Sequence, residues 1–330
     1  MDLEAHLRHH PDDEKTWAVY GDVLESKGDV RGELIRLEQL ASGQSETDAK
    51  REKTLKSIAA LVTKHKKTWS GDAPGELRWK HGFVVGLATR WTEESAESLP
   101  RFLASDHARL LHTLAITGFG EQEDAFDEEE FDEESGVAIS TVDAAISHPA
   151  LKAVLALDLS RVITLSFAYC QMGEAGIELL AAAPALGGVE QLDLRYNFIG
   201  AKGLARLLDA KFLPSMRVLH LQANAIDAKA AKAFTSAVLP KLEALDLRQN
   251  PLEPAGAKAL ATAPFLSQLK RLDLARHDVG AAGAKALAAA PLAPSLKTYW
   301  RALHADPTPW PGEGEVEDDD EGDEGDQAED

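Results

Sequence analysis

The sequence predicts an α/β solenoid, a curved parallel sheet on the inside with helices on the outside, preceded by a small N-terminal helical domain. Three observations predict it. A leucine framework recurs at Leu165, Leu192, Leu219, Leu245 and Leu272, with spacings of 27, 27, 26 and 27 residues, and Tyr299 follows 27 later. Each anchor sits in an alternating apolar run, the signature of a short strand. Each strand is followed by an alanine-rich helical segment such as Ala286–Ala290. A period of this length in which strand and helix alternate describes units that bury their apolar faces only by stacking, which sets successive strands side by side and parallel.

Within the unit, the apolar positions follow the anchor closely. Three residues before it stand Val162, Val189, Met216, Leu242 and Leu269, and two after it Phe167, Leu194, Leu221, Leu247 and Leu274. Five after it come Cys170, Asn197, Asn224, Asn250 and His277. A buried turn there leaves backbone groups in need of partners, and an Asn side chain supplies both donor and acceptor. Seven after the anchor are Met172, Ile199, Ile226, Leu252 and Val279. Gly176, Gly203, Ala230, Gly256 and Gly283 follow where the chain must enter its helix close to the neighbouring unit. Leu180, Leu207, Phe234, Leu260 and Leu287 then mark the inward face of that helix. The pattern L-x-x-L-x-L-x-x-N-x-I resembles the ribonuclease-inhibitor class of leucine-rich repeats. That resemblance implies a strand on the concave side and a helix on the convex side of each unit.

The register extends upstream to Leu114 and Leu87, with Val84 before Leu87 and Leu99 and Phe102 at helix positions. Both units lack the turn Asn, as expected of an atypical cap. From Leu114 to Leu165 is 51 residues, so this unit holds an insertion, within which Leu157–Ser160 reads like a strand only eight residues before Leu165.

Ahead of the repeats, residues 1–75 read as helical. Pro11-Asp12-Asp13 opens a segment with Trp17, Tyr20 and Leu24 on one face, closed by Gly28-Asp29. Leu34, Leu37 and Leu40 continue on a second helix, and a basic helix runs from Glu46 to Thr68. The string Tyr20-x-Asp22-x-Leu24-Glu25-x-x-Gly28-Asp29-x-Arg31-Gly32-Glu33-Leu34, followed by Gly82-Phe83-Val84, resembles the bacterial repeat-companion domain. The resemblance implies a module placed before repeats in bacterial proteins and assigns it no chemistry. The expected organisation is a helical domain at 1–75, a cap and first atypical repeats at 76–120, an acidic insertion at 121–141, repeats with their C-terminal cap at 142–311, and an acidic tail at 312–330.

The net charge of -20 is confined to appendages. Ten acids fall in Glu121–Ser135 and twelve in Glu313–Asp330, neither stretch holds Lys or Arg, and the remainder carries about two positive charges. Both acidic stretches are too poor in apolar residues to build a core and are expected to be disordered. One cysteine, Cys170, excludes a disulfide framework, and the N-terminal residues lack the apolar run of a signal peptide. With no run near the roughly 18 apolar residues of a bilayer span, a cytoplasmic protein without membrane contact is expected. Tyr299, Trp300 and Trp310 are placed to cover the open end of the repeats.

No phosphate loop, paired-cysteine metal motif or nucleophile elbow occurs, so no enzyme activity and no cofactor are expected. Equivalent positions on adjacent parallel strands lie about 4.8 Å apart on one face and form ladders. Between the strand leucines stand Ser166, Asp193, His220, Asp246 and Asp273; after the second stand Ala168, Arg195, Gln222, Arg248 and Ala275; and one further on stand Tyr169, Tyr196, Ala223, Gln249 and Arg276. The polar and aromatic members of these rows are the candidate site, because exposed Tyr and Arg are the types that anchor protein partners. A metal or acid–base site at His220 competes with solvated salt bridging, which explains the same residues. The expected function is a scaffold binding a protein partner on the concave face, with the acidic segments available to a basic partner. Regulation of a small GTPase is the alternative, on a resemblance in overall plan to the Ran GTPase-activating proteins; binding like that of ribonuclease inhibitor is another. Lys50, Arg51, Lys53, Lys56, Lys64, Lys66 and Lys67 are read as a helix face balanced by nearby acids in preference to a nucleic-acid contact.

Overall fold

The computed structural model describes residues 2–45, 48–117, 145–294 and 296. The acidic stretch 121–141, the tail 312–330 and the capping residues Tyr299, Trp300 and Trp310 lie outside the described residues.

Helices α1 (Leu3–His9), α2 (Glu14–Ser26), α3 (Arg31–Ser42) and α4 (Ala49–Ser70) come first. Asp2, Asp13 and Asp48 cap three of them by accepting from the first free backbone N–H groups. Trp17, Tyr20 and Leu24 are buried as expected of one helix face, together with Leu7, Ile35, Phe83 and Leu110. On α3 the buried residues are Gly32, Leu34, Ile35 and Ala41, while Leu40 is exposed. A 100° advance per residue turns Leu40 away once Leu34 faces inward.

Strand β1 (Glu76–Lys80) pairs antiparallel with β2 (Phe83–Arg90), and every later pairing is parallel, in the order β1 to β8. After helix α5 (Glu93–Leu103) come β3 (Thr113–Thr117) and α6 (His148–Leu155). The repeating units then supply β4 (Thr164–Ser166), α7 (Gly173–Ala181), β5 (Gln191–Asp193), α8 (Gly200–Leu208), β6 (Val218–His220), β7 (Ala244–Asp246), α9 (Glu253–Leu260), β8 (Arg271–Asp273) and α10 (Arg276–Ala289). The anchors pair in one register from Leu87 through Leu114, Leu165, Leu192, Leu219 and Leu245 to Leu272. Their side chains share a continuous core with Leu180, Leu207, Phe234, Leu260 and Leu287. Leu157–Ser160 is not a strand: α6 ends at Leu155 and the chain turns so that Leu159 enters the core.

The unit from Leu219 to Leu245 is one residue short and has no α-helix; Ala230–Ser236 winds as a 3-10 helix of 7 residues. At about 2.0 Å per residue it spans about 14 Å, the length that the 9 residues of α8 reach at about 1.5 Å each. Tighter winding absorbs the deletion, and the sheet register passes through unbroken.

The turn residues form a second ladder beneath the strands. Asn197, Asn224 and Asn250 are fully buried. The Asn224 Oδ1 accepts from the backbone of Asn197 at 2.9 Å, while its Nδ2 donates to the Leu194 carbonyl at 2.7 Å. Asn250 accepts from the backbones of Asn224 and Ile226 and donates to the carbonyls of Leu221 and Leu247. At the N-terminal end Cys170 donates its thiol to the Ile116 carbonyl at 3.3 Å. At the other end the side chain of His277 lies outside the described residues. The backbone N–H of Asn250 reaches the Asp278 carboxylate, one residue further along, at 3.4 Å. Gly280, at φ +59, breaks the helical backbone within α10 just beyond it.

Candidate functional site

The three expected rows lie together on the sheet face opposite the leucines. Ser166, Asp193, His220, Asp246 and Asp273 are direct neighbours in the parallel register of β4 to β8. Past the strands the ladder continues, with the backbone N–H of Tyr169 donating to Arg195, that of Tyr196 to Gln222 and that of Ala223 to Arg248, at 2.9 to 3.0 Å. The next row is therefore aligned by backbone hydrogen bonds as firmly as the strands are.

Arg195 and Arg248 are each held by the Asp two residues before them. The Arg195 Nε and Nη2 fork onto the Asp193 carboxylate at 2.9 and 2.7 Å, and the Arg195 backbone N–H donates to the same carboxylate at 3.1 Å. Arg248 repeats this on Asp246 at 3.0, 2.9 and 3.1 Å. Arg271, not foreseen in the site, pairs with Asp273 at 2.7 Å. A bidentate fork saturates a carboxylate and fixes the guanidinium. These aspartates are not open ligands, and these arginines are not free to reach into a partner. The same Asp-x-Arg clamp occurs at Asp29 and Arg31, where Arg31 and Arg109 also lie over the Phe83 ring at 4.4 and 4.9 Å.

Asp246 departs from the expectation of a solvated row, since its side chain is only 2% exposed. Burial would raise its pKa, but His220 at 3.8 Å and the Arg248 fork outweigh that and hold the carboxyl well below the usual carboxylate range. His220 thus belongs to a salt-bridged lattice, and among the described residues no group of three His, Cys, Asp or Glu is arranged to hold a metal.

The row beyond is aromatic and adaptable. The Tyr169 and Tyr196 rings stack at 4.4 Å with planes 11° apart. The Tyr196 hydroxyl donates to the Gln249 Oε1 at 2.6 Å, and Gln222 donates to the same oxygen at 2.9 Å, so the ring is anchored from two units away. Burial, followed by the neighbouring Tyr196, raises the pKa of Tyr169 and keeps its hydroxyl neutral. Phe198, which the strand pattern did not single out, stands 61% exposed beside them. Tyr169, Tyr196, Phe198, Ala223 and Gln249 all adopt positive φ, between 53 and 60°. That left-handed backbone swings these side chains off the alternation of the strand, at a cost of about 1–2 kcal/mol per residue outside glycine. Arg276 opens α10, and its side chain lies outside the described residues.

Two stretches, residues 238–261 and 267–288, match the family model for the Leucine Rich repeat. The chain carries leucine-rich repeats. The two matched repeats contain β7 with α9 and β8 with α10, and the register of β4 to β6 continues theirs without interruption. A comparison with curated proteins finds no match. Among the described residues no helix is long and apolar enough to cross a membrane.

Proposed function

We propose that this leucine-rich-repeat chain is a non-enzymatic protein-binding module. The units form a curved solenoid, the helices of residues 3–70 serve as an N-terminal domain that closes one end, and the open face of the sheet receives a protein partner. The observation that carries this reading is the Tyr169–Tyr196 stack with exposed Phe198. Large rings with few rotamers, fixed by Gln249 and Gln222 before any partner arrives, lose little entropy on binding and supply the anchor types of protein interfaces. The pairs Asp193–Arg195, Asp246–Arg248 and Asp273–Arg271 contribute a neutral, pre-paired surround, while His220, Gln222, Gln249 and Arg276 are the remaining residues assigned to the face. Regulation of a GTPase through an inserted arginine needs a free guanidinium, whereas Arg195, Arg248 and Arg271 are ion-paired with Asp193, Asp246 and Asp273.

The test is capture of a partner with the whole chain from the native cell, then titration of that purified partner against Tyr169→Ser and Tyr196→Ser together. These positions are half-exposed, so thermal unfolding stays close to wild type while affinity falls by about tenfold or more, the loss of roughly 1.4 kcal/mol or above. Unchanged affinity in a folded double variant removes the sheet face as the binding site.

A further inference from the structure

Among the described residues, one cation of α4 is ion-paired with an acid. Seven lie on this 22-residue helix (Lys50, Arg51, Lys53, Lys56, Lys64, Lys66 and Lys67) against a single acid, Glu52. Only Lys56 is ion-paired, with Glu52 at 2.6 Å, and Lys53, Lys64 and Lys67 have no ion-pair partner among the described residues. Outside the acidic stretches the chain has about two net positive charges, while α4 alone has six, so its excess is concentrated on this one helix. The helix itself is thinly covered: Thr54 and Trp69 are its buried residues, it packs on α3, and it touches β2. Lys53, Lys56, Lys64 and Lys67 are all exposed. At about 100° per residue they fall within about 80° of one another, on a stripe about 21 Å long.

We propose that this lysine stripe is a docking surface for the chain's own acidic tail, residues 313–330. Charge complementarity favours the occupant, since the tail holds twelve carboxylates and no cation against ten in Glu121–Ser135, and coupling of α4 to that internal stretch instead would overturn the assignment. Reach permits it within one molecule. Residues 297–312 separate the last described residue from the tail, and when extended they cover about 55 Å at about 3.4 Å each. Strands β8 and β2 are six steps apart in the sheet, about 30 Å at about 4.8 Å per step. A tethered segment acts at an effective concentration near the millimolar range, so in dilute solution it outcompetes the tail of a second copy.

A zero-length carbodiimide, which joins a carboxylate to a lysine amine in contact, reads this directly on the full chain. In an equal mixture of light and isotope-labelled protein, tail peptides couple to α4 peptides of the same isotopic species. That coupling falls roughly tenfold between low salt and molar salt, as the Debye length shrinks from about 30 to about 3 Å. At the remaining exposed amines of α4, Lys50 and Lys66, it is lost as well when Lys53→Glu, Lys56→Glu, Lys64→Glu and Lys67→Glu are combined, exposed changes between residues of similar helix propensity. Coupling between light and heavy copies, coupling mainly to Lys202 or Lys258 of the repeats, or coupling unchanged by the four substitutions overturns the proposal. Hydrogen exchange supplies a second readout that needs no change in α4. A full-length variant with the twelve tail carboxylates converted to amides exchanges α4 amides several-fold faster at low salt, and equal rates overturn the proposal as well.

Discussion

Replacing Asn250 by Ala tests whether the buried turn ladder, more than the strand pairing, fastens one unit to the next. The Asn250 side chain accepts from the backbone N–H groups of Asn224 and Ile226, at 2.9 and 3.0 Å, and donates to the carbonyls of Leu221 and Leu247, both at 2.9 Å. All of this is at zero solvent exposure. Alanine leaves two donors and two acceptors without partners in a space no water reaches, at about 1–3 kcal/mol for each group left unpaired. The variant no longer buries an amide, which offsets part of that, and a net loss of about 4 kcal/mol is expected. Cys170→Ala is the internal control. It removes the thiol's contacts with the Ile116 and Ala168 carbonyls at the end of the ladder and is expected to cost about 1–2 kcal/mol. Urea unfolding followed by far-ultraviolet circular dichroism gives both values. In Asn250→Ala the transition also broadens, because weakening one interface of a stacked array lets the repeats on its two sides unfold separately. A loss below about 1.5 kcal/mol, or one no larger than that of Cys170→Ala, would refute the reasoning.

Two further outcomes follow from backbone strain and from a buried imidazole. Gly173, Gly200 and Gly280 occupy the same place in their units with φ near +60°, whereas the β7 unit has Glu253 there at φ +52 and exposed. Glu253→Gly is therefore expected to raise stability by about 0.5–1 kcal/mol, with the strain relieved partly offset by glycine's unfolded-state entropy. Glu253→Ala, which keeps the strain, brings no gain, and thermal melts in which the two variants match would refute this account. His112 is buried with its Nε2 unpartnered, and burial, helped by the charge of Arg78, lowers its pKa from 6.5 to about 4. The unfolded chain therefore takes up a proton that the folded chain refuses. This contribution is complete above pH 6.5 and drains away as pH falls toward 4, by about 3 kcal/mol in all. Asp246 loses its own contribution only below the ordinary carboxylate range, so the two windows are separate. His112→Leu is expected to flatten the stability profile between pH 6.5 and 4, and a profile as steep as wild type in chemical denaturation would show that other groups govern that window.

The framework was legible because every unit must solve the same packing problem. Leu165, Leu192, Leu219, Leu245 and Leu272 could be aligned from the sequence because each faces the core in register with an identical neighbour. The misreadings occur where that symmetry ends. Beyond Asn250 the backbone breaks at Gly280, and the carboxylate of Asp278, which spacing did not single out, accepts from the Asn250 backbone. The recurrent glycines at Gly173, Gly200 and Gly280 were a readable signal for a left-handed turn that went unused. On the sheet face, spacing fixed which residues are neighbours, while ionic state depends on side-chain reach. That Arg195 and Arg248 would each fold back on the Asp two before it, and that Asp246 would be buried, required coordinates. Phe198 escaped because period-2 alternation assigns it no face, and only its left-handed turn exposes it.

That division bears on where specificity can reside. Positions that repeat in every unit are committed to the core or the Asn ladder and have no freedom left to recognise anything. Recognition must rest on positions where the units differ, and these differences run in order along the sheet. The β4 and β5 units end in Tyr169, Tyr196 and Phe198, while the β6 unit has His220 and Gln222 where its neighbours have Asp and Arg. Beyond it the β7 unit offers Gln249 as the brace for Tyr196. A rigid partner would therefore meet an aromatic end and a salt-bridged end joined by the β6 unit, which lacks the Asp–Arg fork of its two neighbours. Because the Tyr196 hydroxyl is tied to Gln249 across that unit, Gln249→Ala should loosen the Tyr stack from a distance of two strands. A drop in partner affinity without any direct contact at residue 249 would locate the anchor in the aromatic row rather than among the charges.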